Sequence, residues 1–156
     1  MKGGYIEDIH PNTPFPHPKT INSDQFNSYR CLHLPQAKIF NYFSHHLITV
    51  PPKSWRDACR KTNTLCLGTF ITENPHEPAE HIYLSTHTAD ILIYLARRYR
   101  FDGYLINIER EVKDLAALFN FLSYLVNNIH KHIPNSQIIW YDSVSHEKGG
   151  KILYQN

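Results

Sequence analysis

Charge of one sign is nearly absent: 16 Lys and Arg against 14 Asp and Glu leave a net charge of +2 over 156 residues. So small a surplus forms no continuous positive face for a phosphate backbone, and nucleic acid is not the expected partner. Cysteine is scarce. Cys31, Cys59 and Cys66 make an odd count with no C-x-x-C spacing, which argues for free thiols in a reducing compartment, the cytosol. No run approaches ~18 uninterrupted apolar residues, and Glu7 and Asp8 stand where a signal peptide would carry its apolar stretch, so the chain is expected neither to span nor to enter a membrane. An H-E-x-x-H motif, a Cys/His cluster, a G-x-S-x-G elbow and a Gly-rich phosphate loop are all missing, since Gly149-Gly150 lacks the surrounding pattern. Neither a metal nor a cofactor is expected, and acyl and phosphoryl transfer lose support.

What is present is a chain with 42% apolar and 19% charged residues, enough for one domain that buries roughly two-thirds of its unfolded surface. Ten Tyr, eight Phe and two Trp accompany eleven His; aromatic rings serve equally as core and as platforms for planar or sugar-ring ligands. Residues 10–36 hold five of the ten prolines, Pro11, Pro14, Pro16, Pro18 and Pro35, and read as an irregular segment at the edge of the fold, not a separate domain.

From Ile39 onward short apolar runs alternate with segments of helical period. The runs are Ile39 to His46, Leu65 to Thr72, Tyr104 to Glu109 and Gln137 to Ser143. Ser54 reads as the N-cap of a short helix through Trp55, Ala58 and Cys59. Thr86 or Thr88 caps the next, in which Ala89, Leu92, Leu95, Ala96 and Tyr99 recur at three and four residues and Arg97, Arg98 and Arg100 suit the C-terminal dipole. A third stripe, Leu115, Leu118, Phe119, Leu122, Leu125, Val126 and Ile129, runs until Pro134. Strands separated by single helices run parallel through right-handed crossovers, which makes an α/β fold of about four βα units, half of a (β/α)8 TIM barrel. Its chemistry is expected at the carboxyl edge, where the runs close on Ser44-His45-His46, Thr72-Glu73, Asn107-Ile108-Glu109 and Asp142-Ser143 around one pocket.

In the third run a period of two puts Leu105, Asn107 and Glu109 on one face and the apolar Tyr104, Ile106 and Ile108 on the other. The apolar face meets the covering helices, so amide and carboxyl face the barrel interior. A carboxyl held among aromatic walls has its charged form destabilised and can serve as a general acid, with the amide as a neutral donor and acceptor beside it. By spacing alone, Asn-x-Glu at a strand end is equally a solvated edge or a helix cap. His45-His46 on a strand would point to opposite faces and is read as packing and hydrogen bonding, not metal binding. His130 and His132, two apart, diverge at a helix C-terminus, and Cys59 and Cys66 read as small buried hydrophobes.

The run Phe101-Asp102-Gly103-Tyr104-Leu105-Ile106-Asn107-Ile108-Glu109 resembles the signature of glycoside hydrolase family 85, the endo-β-N-acetylglucosaminidases. Gly3-Gly4-Tyr5, Tyr42-Phe43-Ser44-His45-His46 with Pro51-Pro52, Leu67-Gly68-Thr69-Phe70-Ile71-Thr72-Glu73 and Trp140-Tyr141-Asp142-Ser143-Val144 are similar to its other motifs in the same order, from about Gly3 to Gln155. The resemblance is closest to the cytosolic animal-type enzymes and implies a single partial TIM-barrel domain over 1–156, the N-terminal half of the family barrel, with the C-terminal half as a missing partner. It further implies cleavage of the β-1,4 bond in the N,N′-diacetylchitobiose core of N-linked glycans, glycopeptides or free oligosaccharides. The substrate's own acetamido oxygen attacks, one of the exceptions to the two-carboxylate scheme. By matching positions Glu109 is the acid/base and Asn107 orients the acetamido group, while Tyr141, Trp140, Asp142, Tyr154, Glu73 and His46 contact substrate. Leu34, Asn74 and Tyr154 stand where the family commonly carries aromatic residues, chiefly tryptophan, and a non-catalytic, glycan-binding relative is the alternative.

Overall fold

Residues 31–73 and 76–142 are described by the computed structural model, with the backbone alone of 144–146 and 152–154. Gly3-Gly4-Tyr5, most of the proline-rich segment, Asn74, Ser143 and the side chain of Tyr154 therefore lie outside the described residues. The elements in chain order are a 3-10 turn Leu34–Gln36, β1 (Ile39–Asn41), β2 (Ile48–Thr49), α1 (Lys53–Thr62), β3 (Leu65–Thr72), α2 (Glu80–Tyr83), α3 (Thr86–Tyr99), β4 (Gly103–Ile108), α4 (Leu115–His132), β5 (Gln137–Trp140), β6 (Val144–His146) and β7 (Ile152–Tyr154).

The sheet runs β1-β3-β4-β5, every neighbouring pair parallel, with helices carrying the crossovers. It curls into half of a barrel, a partial (β/α)8 architecture. One element departs from the expected pattern. Ile39 to His46 is not a single strand: β1 pairs with the first half of β3, ending at Asn41↔Leu67, and Tyr42 N donates to Leu67 O at 2.9 Å. The chain then bends at His45–Leu47 and returns as β2, antiparallel, along the second half of the same edge of β3, Ile48↔Phe70 and Thr49↔Thr69. Aromatic residues keep the run apolar through the bend, so period alone did not show it. The pair β6 and β7 forms a separate antiparallel ribbon, Val144↔Tyr154.

Register assigns the two faces. Phe70, Tyr104, Ile106 and Ile108 join Ala89, Leu92, Ala96, Leu118, Phe121, Leu125 and Ile129 in the layer between sheet and helices. Leu67, Thr69, Ile71, Leu105 and Asn107 share the opposite, concave face. The Tyr104 ring meets Phe101 edge-on at 5.1 Å, and its buried hydroxyl donates to Leu92 O at 2.9 Å. Burial pushes that phenol far above its usual pKa. Tyr104→Phe keeps the ring and loses one buried hydrogen bond, so urea denaturation is expected to show a loss of about 1 kcal/mol.

The helices form largely where periodicity places them, with different caps. At α1, Pro52 is the N-cap, without a side-chain cap bond, and Ser54 lies inside the first turn. Pro suits this entry because the first amides have no partner in the helix to lose. At α3 the cap is Ser85, whose Oγ accepts from Thr88 N at 3.2 Å; the Thr88 hydroxyl is itself taken by Ile82 O at 2.8 Å. Asp114 caps α4, accepting from Ala117 N at 2.9 Å. On α4 the buried stripe is Leu118, Phe121, Leu125 and Ile129, whereas Leu115 and Phe119 face outward. Phe119 lies about 100° around the helix from Leu118, beyond the edge of the stripe.

Candidate active site

Parallel strands bring their carboxyl ends to one edge of the sheet, and β4 sets the geometry there. Asn107 is its next-to-last residue, in register with Ile71 of β3 and 2% exposed. Past the end of β4 the ladder continues one step, with Glu109 N donating to Thr72 O at 2.8 Å. Glu109 therefore keeps the strand's alternation and returns to the Asn107 side, where Asn107 Nδ2 donates to Glu109 Oε1 at 3.0 Å. An ionised carboxylate only accepts, so this bond fixes which end of the amide faces it. The other end, Asn107 Oδ1, is buried and has no hydrogen-bond partner among the described residues.

Glu109 itself is exposed. The aromatic enclosure expected from the sequence is not what its described neighbours provide, because the rings of Phe70, Tyr104 and Phe121 all lie on the helix side of the sheet. The next residue, Arg110, is turned away: its Nη1 donates to Pro78 O at 3.1 Å and its guanidinium lies 5.8 Å from the centroid of the Tyr83 ring. The loop after Glu109 is fastened by Glu80, whose carboxylate accepts from Lys113 N at 3.1 Å and Asp114 N at 2.6 Å.

The neighbouring strands add two groups to the same face. Tyr141 N donates to Ile106 O at 2.9 Å, which carries the β4–β5 ladder one step past Trp140 and puts Tyr141 on the side of Asn107. On the other flank, Glu73 follows Thr72 at the end of β3 and, by the same alternation, stands beside Glu109. Its carboxylate accepts from His45 Nδ1 at 3.0 and 3.1 Å, and the His45 ring meets Phe43 edge-on at 5.1 Å.

The sequence-predicted residues thus divide. Asn107, Glu109, Tyr141 and Glu73 are brought to one edge and one face. Trp140 registers with Ile106, on the helix side of the sheet, the face opposite to that of Asn107. Asp142 is exposed just beyond β5, and His46 sits in the bend before β2 with its amide on Ser44 Oγ at 3.2 Å. The histidine that reaches this edge is His45, in the hydrogen-bonding role expected of the pair, although the pair lies in a bend and not on a strand. The bend is what frees it, and a link to Glu73, 28 residues away, has no local signal.

The three cysteines are free, as expected: Cys31 is exposed, and Cys59 and Cys66 are buried, with burial raising both thiols' pKa values. A thiol-reactive dye is expected to titrate one thiol rapidly in the native chain and three in denaturant. Among the described residues no three His, Cys, Asp or Glu side chains are grouped to hold an ion, and no helix is long and apolar enough to cross a membrane.

Comparison with known proteins adds a whole-chain result to this geometry. The chain is 37% identical over 165 residues to the cytosolic endo-β-N-acetylglucosaminidase of Danio rerio, covering 100% of this chain and 22% of that protein. Against the Homo sapiens protein of the same name it is 34% identical over 167 residues, 100% of this chain and 21% of the relative. Against cytosolic endo-β-N-acetylglucosaminidase 2 of Arabidopsis thaliana it is 32% identical over 154 residues, 93% of this chain and 20% of the relative. The chain therefore spans about a fifth of the length of these relatives. The profile of glycosyl hydrolase family 85 matches residues 13–156, and the chain belongs to that family.

Proposed function

We propose that this chain carries the acid/base and acetamido-orienting part of an endo-β-N-acetylglucosaminidase that cleaves the chitobiose core of N-glycans. The observation that supports it most directly is the orphan acceptor Asn107 Oδ1, buried beside a carboxylate to which its own Nδ2 is already bound. A buried carbonyl oxygen without a donor costs free energy that a ligand N–H recovers, and the 2-acetamido group of an N-acetylated sugar supplies one.

In the first step Glu109, in its acid form, gives its proton to the glycosidic oxygen while the acetamido oxygen bonds to the anomeric carbon and the bond to the leaving sugar breaks. Positive charge then spreads over the oxazolinium ring, its N–H becomes more acidic, and the bond it donates to Asn107 Oδ1 strengthens as the transition state forms. In the second step the Glu109 carboxylate takes a proton from water, whose oxygen bonds to the same carbon and opens the ring. The anomeric configuration is retained, and no carboxylate nucleophile is needed.

Tyr141 and Glu73 flank this pair and bind the acetamido region and neighbouring hydroxyls, with His45 holding Glu73 in place; Asp142 and His46 extend the rim. The substrates are N-linked glycans on peptides or free oligosaccharides, and the compartment is the cytosol, in keeping with the names of the relatives.

The test is incubation of a high-mannose glycopeptide with the chain, alone and mixed with the remaining barrel segment of the Danio rerio relative. Peptide left with a single N-acetylglucosamine, in either arrangement, is the expected product. Binding of chitobiose-core glycan with no cleavage in both arrangements overturns the proposal in favour of a glycan-binding relative.

A further inference from the structure

At the opposite edge of the sheet from Asn107 and Glu109, roughly 20 Å away along β4, a cleft of about 380 Å³ is lined by Arg60, Ala96, Arg97, Arg100, Phe101, Asp102, His132 and Ile133. The ends of α1, α3 and α4 converge there, with arginines from the first two and His132 from the third. We infer that this cleft binds the phosphate group of a small phosphorylated molecule, a ligand separate from any substrate at the carboxyl edge.

Two of the three guanidiniums here have no partner in the described fold. Arg60 is partly occupied, with Nη1 on Asp57 Oδ1 at 3.0 Å and Nη2 on Arg100 O at 3.5 Å. Arg97, Arg100 and His132 have no ion pair or side-chain hydrogen bond among the described residues. The single acid in the lining, Asp102, accepts from Cys66 N at 2.8 Å through Oδ2 and offsets one positive charge. Against three guanidiniums, one of them paired with Asp57, the concavity keeps a positive surplus that favours an anion.

Arg100 sharpens the point. It takes a left-handed backbone, φ 56°, at the C-cap of α3, a place that favours glycine. A large cation is held there against conformational preference. Helix C-terminal carbonyls attract cations, but at this end of α3 they are met by Arg56, on Tyr99 O, and by Arg60 Nη2, on Arg100 O at 3.5 Å, and not by Arg97 or Arg100. Two free guanidinium forks fit a tetrahedral dianion bidentately, and Ile133, the apolar lining residue that keeps exposed surface, stands beside them. The volume suits a single small molecule.

Calorimetric titration of the 156-residue chain with glucose 6-phosphate in 0.15 M NaCl is the test, with glucose and inorganic phosphate as comparison probes. Expected is one saturable site for the phosphorylated sugar, tighter than for phosphate and absent for glucose. Arg97→Gln and Arg100→Gly are each expected to weaken it about tenfold or more, Arg100→Gly without loss of thermal stability because glycine relieves the left-handed cap. Arg98→Gln is expected to leave it unchanged. Absence of saturable binding, or equal weakening by Arg98→Gln, overturns the inference.

Discussion

Glu109→Gln is expected to lower the rate of chitobiose cleavage by about 10²–10⁴-fold, the span of a general acid–base contribution, with a thermal melt indistinguishable from that of the parent chain. The two halves of this result belong together. Glu109 is exposed and lies beyond the last residue of β4, so its carboxylate fills no cavity in the core. Glutamine preserves shape and can still meet Asn107, but it can neither donate the proton that the leaving oxygen needs nor take one from water. Both steps of the proposed cycle fail together, so kcat falls and KM moves little. Asn107→Ala behaves differently. It deletes the buried amide and its unpartnered oxygen, so cleavage is expected to fall by about 10²–10³-fold through loss of transition-state stabilisation, while the partner bond on Glu109 is also lost. Turnover by Glu109→Gln equal to that of the parent chain removes Glu109 from the mechanism, whatever the fold does.

How much of this was readable in advance follows from which interactions are local. Period two along β4 placed Asn107 and Glu109 on one side of the backbone before any coordinate, because strand alternation depends on nothing beyond the strand. The order of the parallel strands followed from alternation of strand and helix with right-handed connections. The rest depended on contacts distant in sequence. The bend at His45–Leu47 exists because the second half of the β3 edge is filled by β2, a pairing invisible in the aromatic run that precedes it. Trp140 and Tyr141 are adjacent and look alike as candidate platforms; only the register Ile106↔Trp140 turns the tryptophan to the helices and the tyrosine toward Asn107. Thr86 and Thr88 read as alternative caps, yet both lie inside the helix, and Ser85, one residue before its start, accepts from Thr88 N instead. Aromatic content announced rings but not their side of the sheet, which is why Glu109 was expected among walls that stand behind it.

Gly103 is where that register is set, and Gly103→Ala is expected to be the most damaging small substitution in the described fold, costing at least about 3 kcal/mol in urea denaturation. Two effects add. Its φ of +136° is a conformation that side chains rarely adopt, and a Cβ there would stand 1.9 Å from Gln137 O. That oxygen belongs to the first residue of β5, whose amide donates to Asp102 O at 2.8 Å and whose Cα is the register partner of Gly103. Neither backbone has a flexible end to move aside. The strain is relieved only by pulling β5 away from β4 at its start, and because the ladder is continuous from Gln137 to Tyr141, the displacement reaches the tyrosine beside Asn107. The variant is therefore expected to lose hydrogen-exchange protection through residues 137–141 and, with it, glycan cleavage, even in conditions where α3 and α4 remain folded. Gly68→Ala gives the comparison: its Cβ would meet Thr49 O at 2.3 Å, displacing β2 from the other side of the sheet, so protection is lost at Ile48 and Thr49 while Gln137 to Tyr141 stay protected. Equal protection of residues 137–141 in Gly103→Ala and the parent chain means that β5 is not seated on β4 at this point, and the placement of Tyr141 falls with it.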